Sequence, residues 1–353
     1  MSITGTTLIA ASLSDLAERD SLLTRQLYER IGGYWVTQII GTAARLGIAD
    51  LLTGGARASD DMASELGISA DGLFRLLRGG VTAGIVQEVS PRAFALTPMG
   101  EGLRSDVPFS LRSLAIASCD SAHWLPWGQL AEAIRTGRST ARAALGMDIW
   151  EHFAREPDEG AQFSQAMSNL SSMVGGELTR LVDFSRFPHV ADIGGSQGAL
   201  LAQVLQAHPS CRGTLFDLPH VIEGAKAPLE AAGLSGRVAL VGGSFFESHL
   251  PSADAYLLKH VLHDWDDGSS TTLLRQLHQA APEGARLFVL EMVMPEAGTP
   301  SPVPLMDLNM LVLVDGRERT AREFGALLGT ASWELRGITP TAGGTCIIEA
   351  NKR

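Results

Sequence analysis

Apolar residues recur at helical spacing between Asp20 and Leu52, running through Leu23, Leu27, Ile31, Trp35, Ile39 and Ala43, and this stripe predicts long amphipathic helices. Between Ala58 and Val89 the segments ASDDMASELGI and SADGLFRLLRGGVTAGIV predict two short helices joined by a Gly-Ile-Ser turn. EVSPRAFALTPMG then supplies the β-wing expected after a helix-turn-helix. From Ser110 to Leu181 the pattern is helical again, with Trp124, Trp127, Trp150, Phe153, Phe163 and Met167 as core positions. These helices directly precede the next region and are expected to cover its open end.

From His189 the texture changes to short apolar runs alternating with helical stretches, the pattern that builds a parallel sheet. Strands are expected at HVADIG, GTLFDL, VALVGG, AYLLKHV and RLFVLEM, with a final antiparallel pair at ELRGITP and TCIIEAN. The fold class is therefore α/β, a Rossmann-like doubly wound sheet preceded by a mainly helical winged-helix domain. We divide the chain into 1–110 as that first domain, 111–181 as a helical linker and lid, and 182–353 as the sheet domain. The Pro-rich stretch PEAGTPSPVP at 295–304 is expected to be a long loop.

A chain of 353 residues exceeds one ordinary core of about 100–200 residues, in keeping with this division. No window approaches the roughly 18 consecutive apolar residues of a membrane helix, and no charged region followed by an apolar core opens the chain. The expectation is a soluble cytoplasmic protein with no membrane partner. Cys119, Cys211 and Cys346 lie far apart in sequence, an arrangement that suits neither a disulfide framework nor a zinc site. The net charge of −11 opposes nucleic-acid binding unless a basic patch reverses it locally. Residues 1–110 hold nine Arg and no Lys against twelve acidic residues, so a DNA reader using Arg75 and Arg78 is disfavoured and a packing or dimerisation role preferred.

The segment VADIGGSQGALLAQVLQAHP places Gly194, Gly195 and Gly198 between a buried strand and an amphipathic helix. Such glycines allow a tight turn and close approach of backbone to a ligand. The next strand ends in Phe216-Asp217-Leu218, where an acid suits a ribose diol. A dinucleotide site would show the same pair, but the turn VGGSFFE at 241–247 is of the kind that frames an adenine. YLLKHVLHDWDD follows it, with His263 at the sheet's carboxyl end, where doubly wound folds bind their ligands.

In their order, DIGGSQG, FDLP, GGSFFE, LLKHVLHDWDD, LEMVMPE and DLNMLVLVDGRERTAREF resemble the caffeate- and hydroxyneurosporene-type small-molecule O-methyltransferases, and the N-terminal region fits that family's dimerisation domain. The resemblance implies S-adenosyl-L-methionine as cofactor, S-adenosyl-L-homocysteine as product, a small aromatic hydroxyl compound as acceptor, and a homodimer. It implies a cofactor set of Asp192, Gly194, Gly195, Asp217, Leu218, Ser244, Phe245, Lys259 and Ser171. Phe163, Met167, Asp264, Asp307, Asn309 and Met310 are implied to face the acceptor or the transferring methyl. His123, His152 and His260 have no motif to recommend them, although His123 and Trp124 could approach the pocket.

The same resemblance makes His263 the general base and assigns Glu291 and Glu318 to support it. A free imidazole has a pKa near 6.5 and a phenol near 10, so complete proton transfer is uphill by roughly 5 kcal/mol. Neighbouring carboxylates would strengthen such a base and hold its tautomer, while Asp266 and Asp267 suit capping of the following helix. Two departures stand out: Ser196 replaces a frequent glycine, a change expected to affect only a side-chain contact, and Ser244 stands where an Asp is usual. No metal is expected, because the side chains of adjacent His263 and Asp264 should diverge at a strand end. Two other readings are kept: a methyltransferase-fold enzyme with a non-methylating reaction (decarboxylation, hydroxylation or cyclisation), and a winged-helix DNA-binding regulator.

Overall fold

The computed structural model describes residues 21–353. The chain divides into two compact units, one up to Ser105 and the other from Asp106 to Arg353, so the helices of 111–181 fall within the second unit. Asp20, where the apolar stripe begins, lies outside the described residues.

In the first unit residues 21–31 are helical, and helix α1 (Gly33–Arg45) follows. Its stripe is divided: Ala43 and Ala44 are buried, whereas Leu23, Leu27, Ile31 and Trp35 are half exposed or more. Ile39 lies against Gly79, where an added Cβ would come within 2.9 Å of Ile39 Cδ1. Strand β1 (Arg57–Ala58) leads into α2 (Ser59–Leu66), which ends at Gly67 with φ +65°. Ser69 then caps α3 (Ala70–Thr82) by accepting the Gly72 N–H at 3.1 Å. The Gly-Ile-Ser turn thus has a physical cause at both ends. Strands β2 (Val86–Ser90) and β3 (Ala93–Leu96) join β1 in the antiparallel order β1-β3-β2. Arg92 pins this hairpin to the helices, with its guanidinium 4.1 Å over the Phe74 ring and paired with Asp60.

The second unit opens with short helices and then α4 (Pro157–Leu181). Their aromatic residues form a cluster in which Phe153 and Phe163 stack at 4.7 Å and Trp150 meets both edge-on. The sheet follows, built from β4 (His189–Ile193), β5 (Arg212–Asp217), β6 (Val238–Gly242), β7 (Ala255–Lys259) and β8 (Arg286–Glu291). These five run parallel, and β11 (Trp333–Pro340) and β12 (Cys346–Lys352) add the antiparallel pair, giving β11-β12-β8-β7-β4-β5-β6. Every expected strand is present. Helices α5 (Ala199–Ala207), α6 (Pro219–Ala231) and α7 (Asp267–Ala280) connect them. Tyr256 and Leu258 of β7 face one apolar cluster while Ala255 and Leu257 face the other, which is why this strand reads as an unbroken apolar run.

Three local features differ from the sequence pattern. Strand β7 stops at Lys259 because His260 adopts φ +52°, and Leu262–Asp264 close a 3-10 turn. The Pro-rich loop is shorter than expected, since α8 (Val303–Val314) begins with Pro304 in its first turn, where the missing N–H breaks no helical bond. A two-residue parallel pair between β9 (Val293–Met294) and β10 (Arg319–Thr320) precedes α9 (Ala321–Thr330). Cys211 and Cys346 are free thiols. Among the described residues no helix is long and apolar enough to cross a membrane.

Candidate functional site

The strand order brings β4 beside β7 although two strands separate them in sequence. The connections leaving them diverge, which opens a crevice at their carboxyl ends. From β4 the chain enters the glycine turn. At Gly195 a Cβ would lie 2.5 Å from both Asp192 Cγ and Leu215 Cδ1, and Gly194, at φ +70°, would meet Val261 Cγ2 at 2.9 Å. Ser196 also sits in the left-handed region, at φ +54°. Its replacement of glycine therefore affects more than a side-chain contact, because a non-glycine residue there costs about 1–2 kcal/mol.

Asp217 is held rigidly in front of this turn, with Oδ2 accepting the Ser196 N–H at 2.8 Å and Oδ1 the Leu218 N–H at 2.7 Å. Burial pushes its carboxyl above the ordinary range while these two donors pull it back. Asp192 is buried, and one of its oxygens, Oδ2, has no protein partner among the described residues. Burial and Asp217 raise its carboxyl to about 7, opposed by Lys259. Burial lowers Lys259 to about 8 against the pull of Glu291, Asp192 and Asp264. A Cβ on Gly194 would lie 4.0 Å from Phe245, whose ring stands edge-on to Trp265 at 5.8 Å. Ser244 Oγ accepts the Phe246 N–H at 3.3 Å, and Ser171 donates to the Met167 carbonyl at 2.7 Å. A fixed carboxylate, an aromatic ring and a turn with glycines where a Cβ has no room together fit S-adenosylmethionine.

His263 lies on the 3-10 turn after β7, buried at 6% exposure. Glu291, the last residue of β8, accepts the N–H groups of Val261, Leu262 and His263 on Oε1, at 3.0, 2.9 and 3.3 Å. Its other oxygen lies 3.4 Å from His263 Nδ1. Glu318 Oε1 is closer to that nitrogen, at 2.7 Å. The β9–β10 pair makes this possible: it returns the chain alongside the residues after Glu291, and Asp307 Oδ1 accepts the Glu318 N–H at 2.8 Å.

Arg319, 1% exposed, fixes the same turn from behind by donating to the Leu262 and Trp265 carbonyls, both at 2.8 Å. Arg317 N–H donates to the His263 carbonyl at 2.8 Å, and a Cβ on Gly316 would lie 2.0 Å from that oxygen. Asp266 caps α7 through the Ser269 N–H, and Asp267 pairs with Arg319.

Burial works to lower the His263 pKa, but Glu291, Asp264 and Glu318 outweigh it and push it up to about 9. Asp264 Oδ1 stands 3.5 Å from His263 Nε2. The two side chains thus converge, because the 3-10 turn breaks the alternation of an extended strand, and the expectation of divergence is corrected. Burial raises Asp264 to about 7, with His263 opposing and Glu291 and Glu318 reinforcing the shift. His263, Glu291 and Glu318 have potential ligand atoms within 4.8 Å of one another, close enough to share a metal ion. In the structure they interact with each other directly.

Of the acceptor set, Phe163 and Met167 lie on α4, and Phe163 belongs to the aromatic cluster with His123 at 5.9 Å. Asp307, Asn309 and Met310 lie on α8. Asp307 supports Glu318, and Asn309 Oδ1 accepts the Trp127 indole N–H at 2.7 Å, so both act within the protein frame. Met310 is buried, and its carbonyl accepts the Gly316 N–H. Sequence reasoning missed Arg319, although it lies within the GRERT run. It also passed over His260, which directly follows Lys259.

Residues 127–334 match the O-methyltransferase domain family, and residues 28–106 match the O-methyltransferase dimerisation domain. The chain is 36% identical to a phenazine O-methyltransferase of Lysobacter antibioticus over 93% of this chain and 96% of that one. It is 35% identical to an 8-amino-8-demethylriboflavin N,N-dimethyltransferase of Streptomyces davaonensis, over 92% and 94%. Among solved structures, an O-methyltransferase from neocarzinostatin biosynthesis, in complex with S-adenosylmethionine and 2-hydroxy-5-methyl naphthoic acid, superposes with a TM-score of 0.76 at 34% identity. That match covers 90% of this chain and 96% of the other.

Proposed function

Since this chain belongs to the S-adenosylmethionine-dependent O-methyltransferase family, we propose that it methylates a hydroxyl, phenolic in kind, of a small aromatic metabolite, with His263 as general base. The observation that carries this reading is the buried His263 imidazole, with Nδ1 2.7 Å from Glu318 and 3.4 Å from Glu291. The carboxylates hold the proton on Nδ1 in the neutral ring and leave Nε2 to receive the acceptor's proton. With His263 near 9 against a phenol near 10, the uphill transfer shrinks to about 1.4 kcal/mol. Glu291 and Glu318 then stabilise the imidazolium.

S-adenosylmethionine supplies an electrophilic methyl group on a positively charged sulfur. Asp217 would take the ribose hydroxyls, Ser244 and Phe245 the adenine end, and the glycine turn with Leu218, Asp192, Lys259 and Ser171 the remainder. Phe163, Met167 and Met310 would bound the acceptor, with Asp307 and Asn309 holding the frame. Alignment of hydroxyl and methyl supplies much of the rate in such a site. The exposed stripe Leu23, Leu27, Ile31 and Trp35, in a segment overlapping the dimerisation domain, supports a homodimer.

An amine acceptor is the second reading, since one relative is an N,N-dimethyltransferase. A neutral amine attacks through its own lone pair, so the His263 cluster favours a hydroxyl. Incubation with methyl-labelled S-adenosylmethionine and matched phenols and arylamines tests this. Label should enter the phenols and survive EDTA; transfer only to amines, or metal-reversible loss of activity, would overturn the reading.

A further inference from the structure

His260 is absent from the cofactor, base and acceptor sets, yet it is one of the more constrained residues of the site. Its backbone stands at φ +52°, outside the region that most side chains tolerate. Its ring lies beside that of His263, with centroids 5.1 Å apart and planes 30° from parallel. Nδ1 is 3.1 Å from Lys259 Nζ. Below a pH of about 8 Lys259 is an ammonium, which can only donate, so there Nδ1 accepts and the proton of the neutral ring resides on Nε2. That Nε2–H is buried and has no protein partner among the described residues. Burial, Lys259 and His263 hold the ring's pKa well below its ordinary value, so His260 stays neutral beside the base and does not compete with it for the proton.

A strained backbone and an unpaired buried donor in the same residue each oppose folding, and such features persist where a site uses them. Glu318 occupies His263 Nδ1, which leaves Nε2 for an acceptor hydroxyl, and the His260 ring, 5.1 Å from that of His263, is the neighbour that atoms bonded beside that hydroxyl would meet. We propose that His260 determines specificity: its Nε2–H donates to a carbonyl oxygen or ring nitrogen that the acceptor carries next to the hydroxyl being methylated. This rests on the hydroxyl-methylation reading above and narrows it to a class of acceptors.

Regioisomer pairs test the proposal: 8- against 6-hydroxyquinoline, and 1- against 2-hydroxyanthraquinone, since only the first of each pair places an accepting atom beside the hydroxyl. His260→Asn tolerates the left-handed backbone but is too short to reach. His260→Phe removes the donor, and His260→Gln returns an N–H at a similar reach. In the Asn and Phe variants kcat/KM for the adjacent isomers should fall roughly 10–100-fold, the effect of losing one buried hydrogen bond. The remote isomers should change by no more than about threefold, and Gln should recover most of the loss. The same ratios are read from acceptor Kd in the presence of S-adenosylhomocysteine, so the outcome does not depend on turnover. Equal losses for both isomers, an unchanged ratio, or a loss confined to S-adenosylhomocysteine affinity would overturn the assignment. An unaltered protein that binds these compounds with the expected ratio, yet methylates no hydroxyl in the wider panel, would overturn the hydroxyl reading and leave His260's selectivity standing.

Discussion

One carboxylate of Glu291 addresses His263 twice, accepting its main-chain N–H at 3.3 Å on Oε1 and lying 3.4 Å from its ring on Oε2. Structure and chemistry therefore separate by substitution. Glu291→Ala strands three buried N–H groups and should lower unfolding free energy by roughly 3 kcal/mol or more. Glu291→Gln keeps an accepting oxygen and should lose less than half of that, while still weakening the base. Urea midpoints and rates on both variants check this; equal destabilisation by Gln and Ala would contradict it.

Replacing His263 with Ala should reduce turnover by roughly 10²–10⁴-fold, the usual range for a lost general base, with cofactor affinity nearly unchanged. The loss should shrink for phenols already ionised at the assay pH, which need orientation but little proton removal. Parent and variant rates plotted across acceptors of graded pKa give the answer. A uniform loss would leave His263 a structural role only.

The pH profile follows from the carboxylates around His263. With its pKa near 9, the ring is mostly protonated at neutral pH, and only the deprotonated form can accept the acceptor's proton. For a weakly acidic phenol kcat/KM should therefore rise with pH, reach half of its plateau near 9 and level off above that. Glu318→Gln removes a neighbour that raises this pKa, so the ascending limb should move to lower pH while the plateau falls. A limb that stays in place would dissociate it from His263.

Ser196→Gly should stabilise the protein. Relief of a left-handed non-glycine backbone is worth about 1–2 kcal/mol, reduced by about 0.5–1 kcal/mol for the added freedom of glycine in the unfolded chain. The centres of these ranges give a net gain of about 0.75 kcal/mol, which should appear in the denaturant midpoint. No gain would mean that the Ser196 side chain compensates locally.

Sedimentation at micromolar concentration should give a dimer. Placing Asp at both Leu27 and Ile31, which are 60% and 66% exposed, should shift the protein to monomer without unfolding the sheet unit. A dimer that persists unchanged would place the interface elsewhere.

The parallel strands were legible because β7 and β8 are buried on both faces and so read as unbroken apolar runs, and the glycine turn because a Cβ at Gly195 has nowhere to go. Other features depend on approaches between distant segments. Glu318 reaches His263 through the two-residue β9–β10 pair, which is too short to leave a periodic signal. Arg319 looks like a surface charge until its guanidinium is seen against two carbonyls of another segment. The convergence of His263 and Asp264, and the unpaired nitrogen of His260, both follow from the chain leaving its strand at Lys259, which a hydrophobic pattern does not encode.

Gly316 belongs to neither the cofactor set nor the acceptor set, yet a single methyl group added there would lie 2.0 Å from the His263 carbonyl oxygen. The backbone that carries His263 thus abuts a residue with no free volume to give. In a saturation library, sensitivity should extend from His263 into this apparently neutral position, where even alanine forces the turn to move. The segment behind His263 therefore admits very few sequences.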